Sequence, residues 1–589
     1  MDDEALRALT NAWIEGDPDP ETQAELRDLL AAGALDEVRA RMTPPLVFGT
    51  AGLRGRVGAG SARMNRATVI RTTRGLAAFL SARGGGARSL PVVVGRDARS
   101  SSERFATDVC GVLAAARIPV RYFPDPVPTP LVAYATRALA ATAGVVITAS
   151  HNPRDDNGYK LYLDDAVQLT APHDAAIERA IEAAGPAASV PRVDFAENAA
   201  APAPWRSELE PLDVNAWFER YLTEALASLG PREGGALRIA YTPLHGVGWR
   251  FARRALERAG YTHVRVVPEQ AEPDGAFPTT PFPNPEEPET LELALRFAEK
   301  EQADVLIAND PDADRLAVAV PTPSGRWLRL SGNQLAALFA DARVPPVAAG
   351  TPPHALPIVT TSVVTTPLVE AIARSRGARV ERTLTGFKWL WTAALALERR
   401  GAGHFAYACE EALGYSLTPA VRDKDGIAAA VAFADLAARC RREGRSVLDR
   451  LHALAREFGV WASAQHNVAV SGRPVTEATR GVLDRAAAAS FTSLGGRAIE
   501  QVRDYRRGSA ERPAWLSSAP LVEFELAGGR VLLRPSGTEP KLKLYVDLRG
   551  EATDGPSLEA VETALAREAA ELAHELVEKL GLTAEDARA

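Results

Sequence analysis

The sequence predicts an α/β fold of three mixed α/β blocks followed by one α+β block. Three observations carry that prediction. Short Val- and Ile-rich runs alternate with helix-period stretches through the first two-thirds of the chain. After residue 465 the pattern changes to two β-rich runs around a glycine pair, then a long helical stretch. The length of 589 residues leaves room for roughly four domains.

The elements follow in order. Leu6, Leu9, Trp13, Leu26, Leu29, Leu30, Leu35 and Val38 recur near helical spacing over residues 4–42. Gly16-Asp17-Pro18-Asp19-Pro20 breaks that region in two, and Pro44-Pro45 ends it. Residues 91–95 read as a buried strand, 102–117 as a helix, and 120–123 and 144–148 as further strands. The rhythm is lost over 171–235. There, 185–204 is rich in Ala and Pro and reads as a surface excursion, and 217–229 as a connecting helix. The second block opens with a strand at 237–241, then a helix at 249–259 and strands at 264–267 and 304–308. The third opens near Ser331 and includes a strand at 357–360. In the last block, 522–526 and 531–534 form a hairpin around Ala527-Gly528-Gly529, and 557–580 form the C-terminal helix. The domains implied are 1–230, 231–330, 331–464 and 465–589.

Composition excludes several classes. Apolar residues are 46% and charged residues 24%, which excludes disorder and fibre. The net charge of −7 gives no bulk attraction to nucleic acid or anionic membrane, so neither is expected as a partner. Cys110, Cys409 and Cys440 form no C-x-x-C pair, so neither a disulfide framework nor a thiolate zinc site is expected. The start Met1-Asp2-Asp3-Glu4 is acidic where a signal peptide is basic, and no run of about 18 apolar residues occurs. The expectation is a cytoplasmic protein.

Four motifs carry chemistry. Thr148-Ala149-Ser150-His151-Asn152-Pro153 follows a predicted strand, where α/β sheets hold ligands, and presents Ser150 on a turn. It is not the G-x-S-x-G elbow. Asp310-Pro311-Asp312-Ala313-Asp314-Arg315 also follows a strand. Three alternate carboxylates repel unless a cation neutralises them, and oxygen donors suit Mg²⁺. The loop is not an EF-hand, because Arg315 and Pro321 stand where Gly and Glu are required. Arg315 offers a fork to a phosphate or sugar oxygen. Cys409-Glu410-Glu411-Ala412-Leu413-Gly414-Tyr415 places paired glutamates where sugar hydroxyls can donate to them. Arg534-Pro535-Ser536-Gly537-Thr538-Glu539-Pro540-Lys541 gathers cations, hydroxyls and a glycine in one loop suited to a phosphate, and no Walker A loop is present.

These motifs in this order, with Phe48-Gly49-Thr50-Ala51-Gly52-Leu53-Arg54-Gly55 ahead of them, resemble the α-D-phosphohexomutases, the phosphoglucomutase/phosphomannomutase superfamily. The resemblance spans nearly the whole chain. It implies three similar α/β domains and a TATA-binding-protein-like C-terminal domain around a central cleft. It implies that Ser150 carries phosphate and that Asp310, Asp312 and Asp314 hold one Mg²⁺ together with a phosphate oxygen of that serine. Arg54 and Lys160 match positions beside the transferred phosphate, with His151 next to the serine. Arg315, Thr385, Gly386, Lys388, Glu410 and Lys424 would contact the sugar phosphate. Arg534, Ser536, Gly537, Thr538 and Lys541 would grip the non-reacting phosphate. His245 matches too, and a structural role is expected for it.

The implied activity interconverts sugar 1-phosphate and 6-phosphate, glucose first, through a bisphosphorylated sugar that also serves as activator. Pentose phosphates, mannose phosphates and sugar-bisphosphate synthesis are the alternatives. The substrate is a small phosphosugar, and the expected state is a monomer or dimer. One departure bears on the sugar. The common glucose/mannose pattern is Gly-Glu-x-Ser, whereas here Cys409-Glu410-Glu411-Ala412 lacks the serine. That stretch looks most like the branch holding phosphopentomutase and glucose-1,6-bisphosphate synthase.

Overall fold

Three helices, not two, open the chain: Asp3–Gly16, Pro20–Ala31 and Leu35–Met42. The second break falls at Gly33, whose φ of 68° suits a residue without a side chain. Asp19 caps the second helix through Glu21 N–H, with Pro20 at the first helical position. Leu6, Ile14, Leu26, Val38 and Met42 bury one another and hold the three together. The computed structural model describes residues 1–49, 52–84, 90–194, 208–469, 475–508, 512–535, 541–552 and 558–582. It divides into two units, residues 1–330 with 412–439 and residues 331–411 with 440–589.

The first unit holds two sheets. In the first, the strand order is Leu53–Arg56, Asp156–Leu163, Ala143–Ile147, Val92–Arg96, Val120–Tyr122, Leu209–Pro211. Val92–Arg96 pairs in parallel with Ala143–Ile147 and Val120–Tyr122. Helices Ser102–Ala115 and Thr129–Ala138 pack on it, and its central strands are buried throughout. That is why they read as continuous apolar runs. Asp156–Leu163 is unexpected from the sequence and runs antiparallel to Ala143–Ile147.

The 185–204 segment is only partly a surface excursion. Ala187 and Val190 are buried against Ala67, Ile70 and Val112, and Val193 joins the main core. Val193 N–H donates to Gly111 O at 3.1 Å, and a Cβ at Gly111 would lie 2.4 Å from Val193 O. Glycine there lets the segment lie directly on the helix.

The second sheet has the order Trp327–Arg329, Ala317–Pro321, Val305–Ala308, Ile239–Thr242, Val264–Val266. Val305–Ala308 is parallel to Ile239–Thr242 and antiparallel to Ala317–Pro321. Both sheets thus contain a strand that turns back on itself as an antiparallel neighbour. Residues 412–439 complete this unit. Tyr162, Tyr221 and Tyr261 donate to Asp423, Asp425 and Asp435 at 2.6 to 2.9 Å, all of them buried.

In the second unit, Pro357–Ser362 lies between parallel partners Arg379–Thr383 and His404–Glu410. Six antiparallel strands follow, from Val460–Ala469 to Lys541–Gly550, in the order first, sixth, fifth, fourth, third, second. The expected hairpin is there, pairing Val522–Leu526 with Gly529–Pro535. Helix Leu558–Lys579 closes one face, burying Leu565, Leu572 and Leu576 against Phe524, Leu544 and Val546. Each such side chain contributes about 1.5–3 kcal/mol of hydrophobic stabilisation.

Candidate active site

The turn-back loops of the two sheets in the first unit meet. One, between Ala143–Ile147 and Asp156–Leu163, carries Ser150. The other, between Val305–Ala308 and Ala317–Pro321, carries the three aspartates. Both lie where the central strands end, so the sheets aim them.

Ser150 has a φ of 53°, a left-handed conformation that a side chain rarely adopts. Thr148 Oγ1 accepts its N–H at 2.8 Å. Its Oγ donates to Asp310 Oδ2 at 2.6 Å and lies 3.1 Å from His151 Nδ1. Desolvation, with Arg315 and Arg54 nearby, holds His151 well below the usual imidazole range, so the ring is neutral.

The aspartate loop is clamped from several sides. Asn309 closes it by donating to Arg315 O at 2.6 Å. A Cβ at Gly246 would lie 2.2 Å from Pro311 Cα, and one at Gly426 would lie 2.4 Å from Arg315 O. Those two glycines let neighbouring backbone press on the loop. His245, beside Gly246, is buried with Nε2 2.8 Å from Thr279 Oγ1 and shapes the same turn.

Asp310, Asp312 and Asp314 are fully buried, and one oxygen of each lies within 4.8 Å of the others. Lys160 Nζ donates to Asp312 Oδ2 at 2.7 Å and Asp314 Oδ2 at 2.6 Å, and Lys424 Nζ lies 2.9 Å from Asp314 Oδ2. Thr129 Oγ1 also donates to Asp312, at 2.7 Å. Burial, then the two neighbouring carboxylates, pushes Asp310 up. Burial also opposes ionisation of Asp314, but the lysine ammoniums outweigh it and hold it down. Asp312 Oδ1 and Asp314 Oδ1 are buried with no hydrogen-bond partner. Unsatisfied hard oxygens at this spacing fit a small divalent cation.

The remaining expected residues fall as follows. Arg54 Nη1 donates to Asn152 Oδ1 at 3.3 Å, which puts it on the serine loop. Arg315 Nη1 bonds Glu286 at 2.9 Å, and its backbone N–H donates to Asp310 Oδ1 at 3.0 Å. In the second unit Glu410 ends its strand and accepts Gly386 N–H at 2.5 Å, so the Thr385–Lys388 turn and the glutamate are brought together. Lys388 Nζ sits 5.9 Å from the Trp389 ring centroid. Glu411 accepts from Ser362 Oγ at 3.1 Å. Arg534 and Lys541 lie near the facing ends of two paired strands. Ser536, Gly537 and Thr538 lie outside the described residues.

Sequence reading missed Arg99, Thr129 and Thr148. Arg99 had a signal, since Asp97-Ala98-Arg99 follows the first buried strand as Ser150 follows another. Thr148 stands in the serine motif without a role assigned to it, and Thr129 carries no signal.

A hydroxyl beside a carboxylate cluster, at the ends of two α/β sheets, is equipment for phosphoryl transfer. Family profiles agree. Those described as phosphoglucomutase/phosphomannomutase α/β/α domains I, II and III match residues 45–187, 219–325 and 331–458, and the C-terminal domain profile matches 484–578. The chain is 34% identical over 579 residues to mouse phosphopentomutase, covering 93% of this chain and 90% of that one. It is 34% identical over 576 residues to human glucose 1,6-bisphosphate synthase, with coverage of 93% and 90%. A solved Paramecium structure, the phosphoglucomutase parafusin in its open form, shares the fold. Its TM-score is 0.68 at 16% identity, over 93% of this chain and 98% of that one.

The chain belongs to the phosphoglucomutase/phosphomannomutase family of α-D-phosphohexomutases, near the phosphopentomutase branch. It is a phosphosugar mutase, an isomerase that moves phosphate within a sugar. Among the described residues no helix is long and apolar enough to cross a membrane.

Proposed function

We propose that this mutase interconverts the 1-phosphate and 5-phosphate of ribose or deoxyribose, with Ser150 as the phosphoryl carrier. The observation that carries the choice of sugar is Ala412 in Cys409-Glu410-Glu411-Ala412. No hydroxyl follows the glutamates to read a hexose, and Glu410 already accepts from Gly386. The mouse relative named phosphopentomutase supports the same reading. It shifts the preference away from the glucose expected above. The glucose 1,6-bisphosphate synthase relative, at equal identity, keeps glucose 1- and 6-phosphate as the second reading.

The chemistry proceeds in two transfers. The phosphoryl leaves Ser150 Oγ, breaking that O–P bond as the free sugar hydroxyl forms a new one. The bisphosphate then reverses in the site, and its other phosphoryl returns to Ser150. In each transfer the attacking hydroxyl loses a proton and the leaving oxygen gains one. At the serine end neutral His151, with Nδ1 3.1 Å from Ser150 Oγ, is of the right form and reach to take the serine's proton when Oγ attacks in the return step. Lys160 is held by Asp312 and Asp314, so its part is to supply positive charge. A magnesium ion held by Asp310, Asp312 and Asp314 would neutralise charge on the transferring group. Arg534, Lys541 and the loop between them would hold the phosphate that does not react. The four-domain partition at residues 230, 330 and 464 remains our reading of the chain.

The test compares kcat/KM for ribose 1-phosphate and glucose 1-phosphate, with Mg²⁺ and the matching bisphosphate. A pentose advantage of about tenfold, or about 1.4 kcal/mol, is expected. A glucose advantage of that size would replace the pentose reading with the hexose one. Ser150→Ala should abolish turnover of either sugar, and retained turnover would sink the phosphoserine mechanism.

A further inference from the structure

We propose that Arg99 is a positioning residue that sets the aim of Ser150, an inference that rests on Ser150 being the phosphoryl carrier. Arg99 is buried to 4% exposure and touches the serine loop only through backbone. Its Nη2 donates to Ser150 O at 2.8 Å and Asn152 O at 2.6 Å. Its Nη1 donates to Pro153 O at 2.7 Å and Asp156 O at 2.9 Å. A guanidinium has four terminal N–H groups, and those four carbonyls occupy them. Its fifth donor, Nε, lies 3.3 Å from Asp97 Oδ2.

The anchor is itself anchored. Asp97 Oδ1 accepts Arg99 N–H at 3.0 Å and Ser102 Oγ at 2.5 Å, and Asn157 Nδ2 donates to Ser102 Oγ at 3.0 Å. The Phe277 ring centroid is 5.1 Å from the guanidinium carbon. A Cβ at Gly275 would lie 2.8 Å from both Ala98 O and Arg99 Cα, so the second sheet's loop leans directly on this turn.

The arrangement matters because Ser150 is strained. Its left-handed backbone, which a side chain rarely adopts, persists only where surroundings over-determine it. One of the four captured carbonyls is its own. Freed of Arg99, the turn can relax to an ordinary conformation and swing Oγ away from Asp310, now 2.6 Å off. Misplacement by about 1 Å can cost a hundredfold in rate. Arg99 is a lever on the reacting atom, with no contact to that atom.

Lysine keeps the charge but offers three donors from one point and cannot span four carbonyls. In Arg99→Lys we expect kcat to fall about a hundredfold with KM within about threefold of wild type. Phosphorylation of Ser150 by the sugar bisphosphate, followed by intact-protein mass spectrometry, should slow by the same factor. The melting temperature should fall, because carbonyls lose their donors, while the protein stays folded at the assay temperature. A milder loss of kcat, about three- to tenfold, is expected of Asp97→Asn, which removes the charge facing Nε. A folded Arg99→Lys enzyme with wild-type kcat, or a loss confined to KM, would overturn the proposal. Should Arg99→Lys not fold, wild-type kcat in Asp97→Asn overturns it instead. Wild-type protein that takes no phosphate on Ser150 would defeat the carrier reading. Wild type that does so while Arg99→Lys keeps pace defeats the clamp alone.

Discussion

Asp312 and Asp314 each spend one oxygen on lysine and leave the other buried without a partner. A structure with no use for those oxygens would lose stability for nothing, because an unsatisfied buried acceptor costs about 1–3 kcal/mol. The prediction at this scale is that Asp312→Asn lowers kcat about a hundredfold and raises the Mg²⁺ concentration for half-activation at least tenfold. A Mg²⁺ titration of activity checks it, and an unmoved midpoint would remove the metal assignment. Lys160 is placed beside the transferred phosphate by the family resemblance, but its pairing with Asp312 and Asp314 is what residue-level reading cannot supply. It is buried to 1% exposure in a strand, which a lysine tolerates only when paired. Its partners lie 152 and 154 residues away, so no local pattern announces it.

At the scale of elements, the sequence was most legible where strands are buried on both faces. Val92–Arg96, Ala143–Ile147 and Val305–Ala308 show as plain apolar runs. Asp156–Leu163 escaped because it opens with Asp, Asn and Gly and holds a lysine midway. The Ser150 and aspartate motifs were legible because their spacing is local, and both lie on loops that follow buried strands. Arg99 was not, because its work is done through carbonyls 51 to 57 residues away. The 187–193 segment was misjudged for a similar reason: Ala and Pro suggest a loop, but Gly111 opens a seat for its backbone. Gly111→Ala should therefore destabilise the protein by about 1–3 kcal/mol while leaving kcat unchanged. Thermal denaturation beside steady-state kinetics checks this. A wild-type melting temperature would mean that the helix and segment separate freely.

The whole molecule is built from a discontinuous first unit. Residues 412–439 contribute Asp423, Asp425 and Asp435, which accept from three buried tyrosines, and Lys424 at the carboxylate cluster. A fragment ending at Leu330 leaves those hydroxyls and Asp314 short of partners. It should melt without a sharp calorimetric transition, and joining 412–439 to it through a flexible linker should restore one. A bare fragment that melts as cooperatively as the linked one would show that the returning segment is dispensable. The same discontinuity bears on how the chain is made. A ribosome releases residues in order, and domains generally fold as units as they emerge. Here the first 330 residues must wait while 331–411 are synthesised before their own last segment arrives. The nascent chain therefore carries an almost finished body whose carboxylate site lacks one cation until synthesis has passed residue 424. On the function proposed above, the site that would handle phosphate gains its last ammonium only once that late segment has been made.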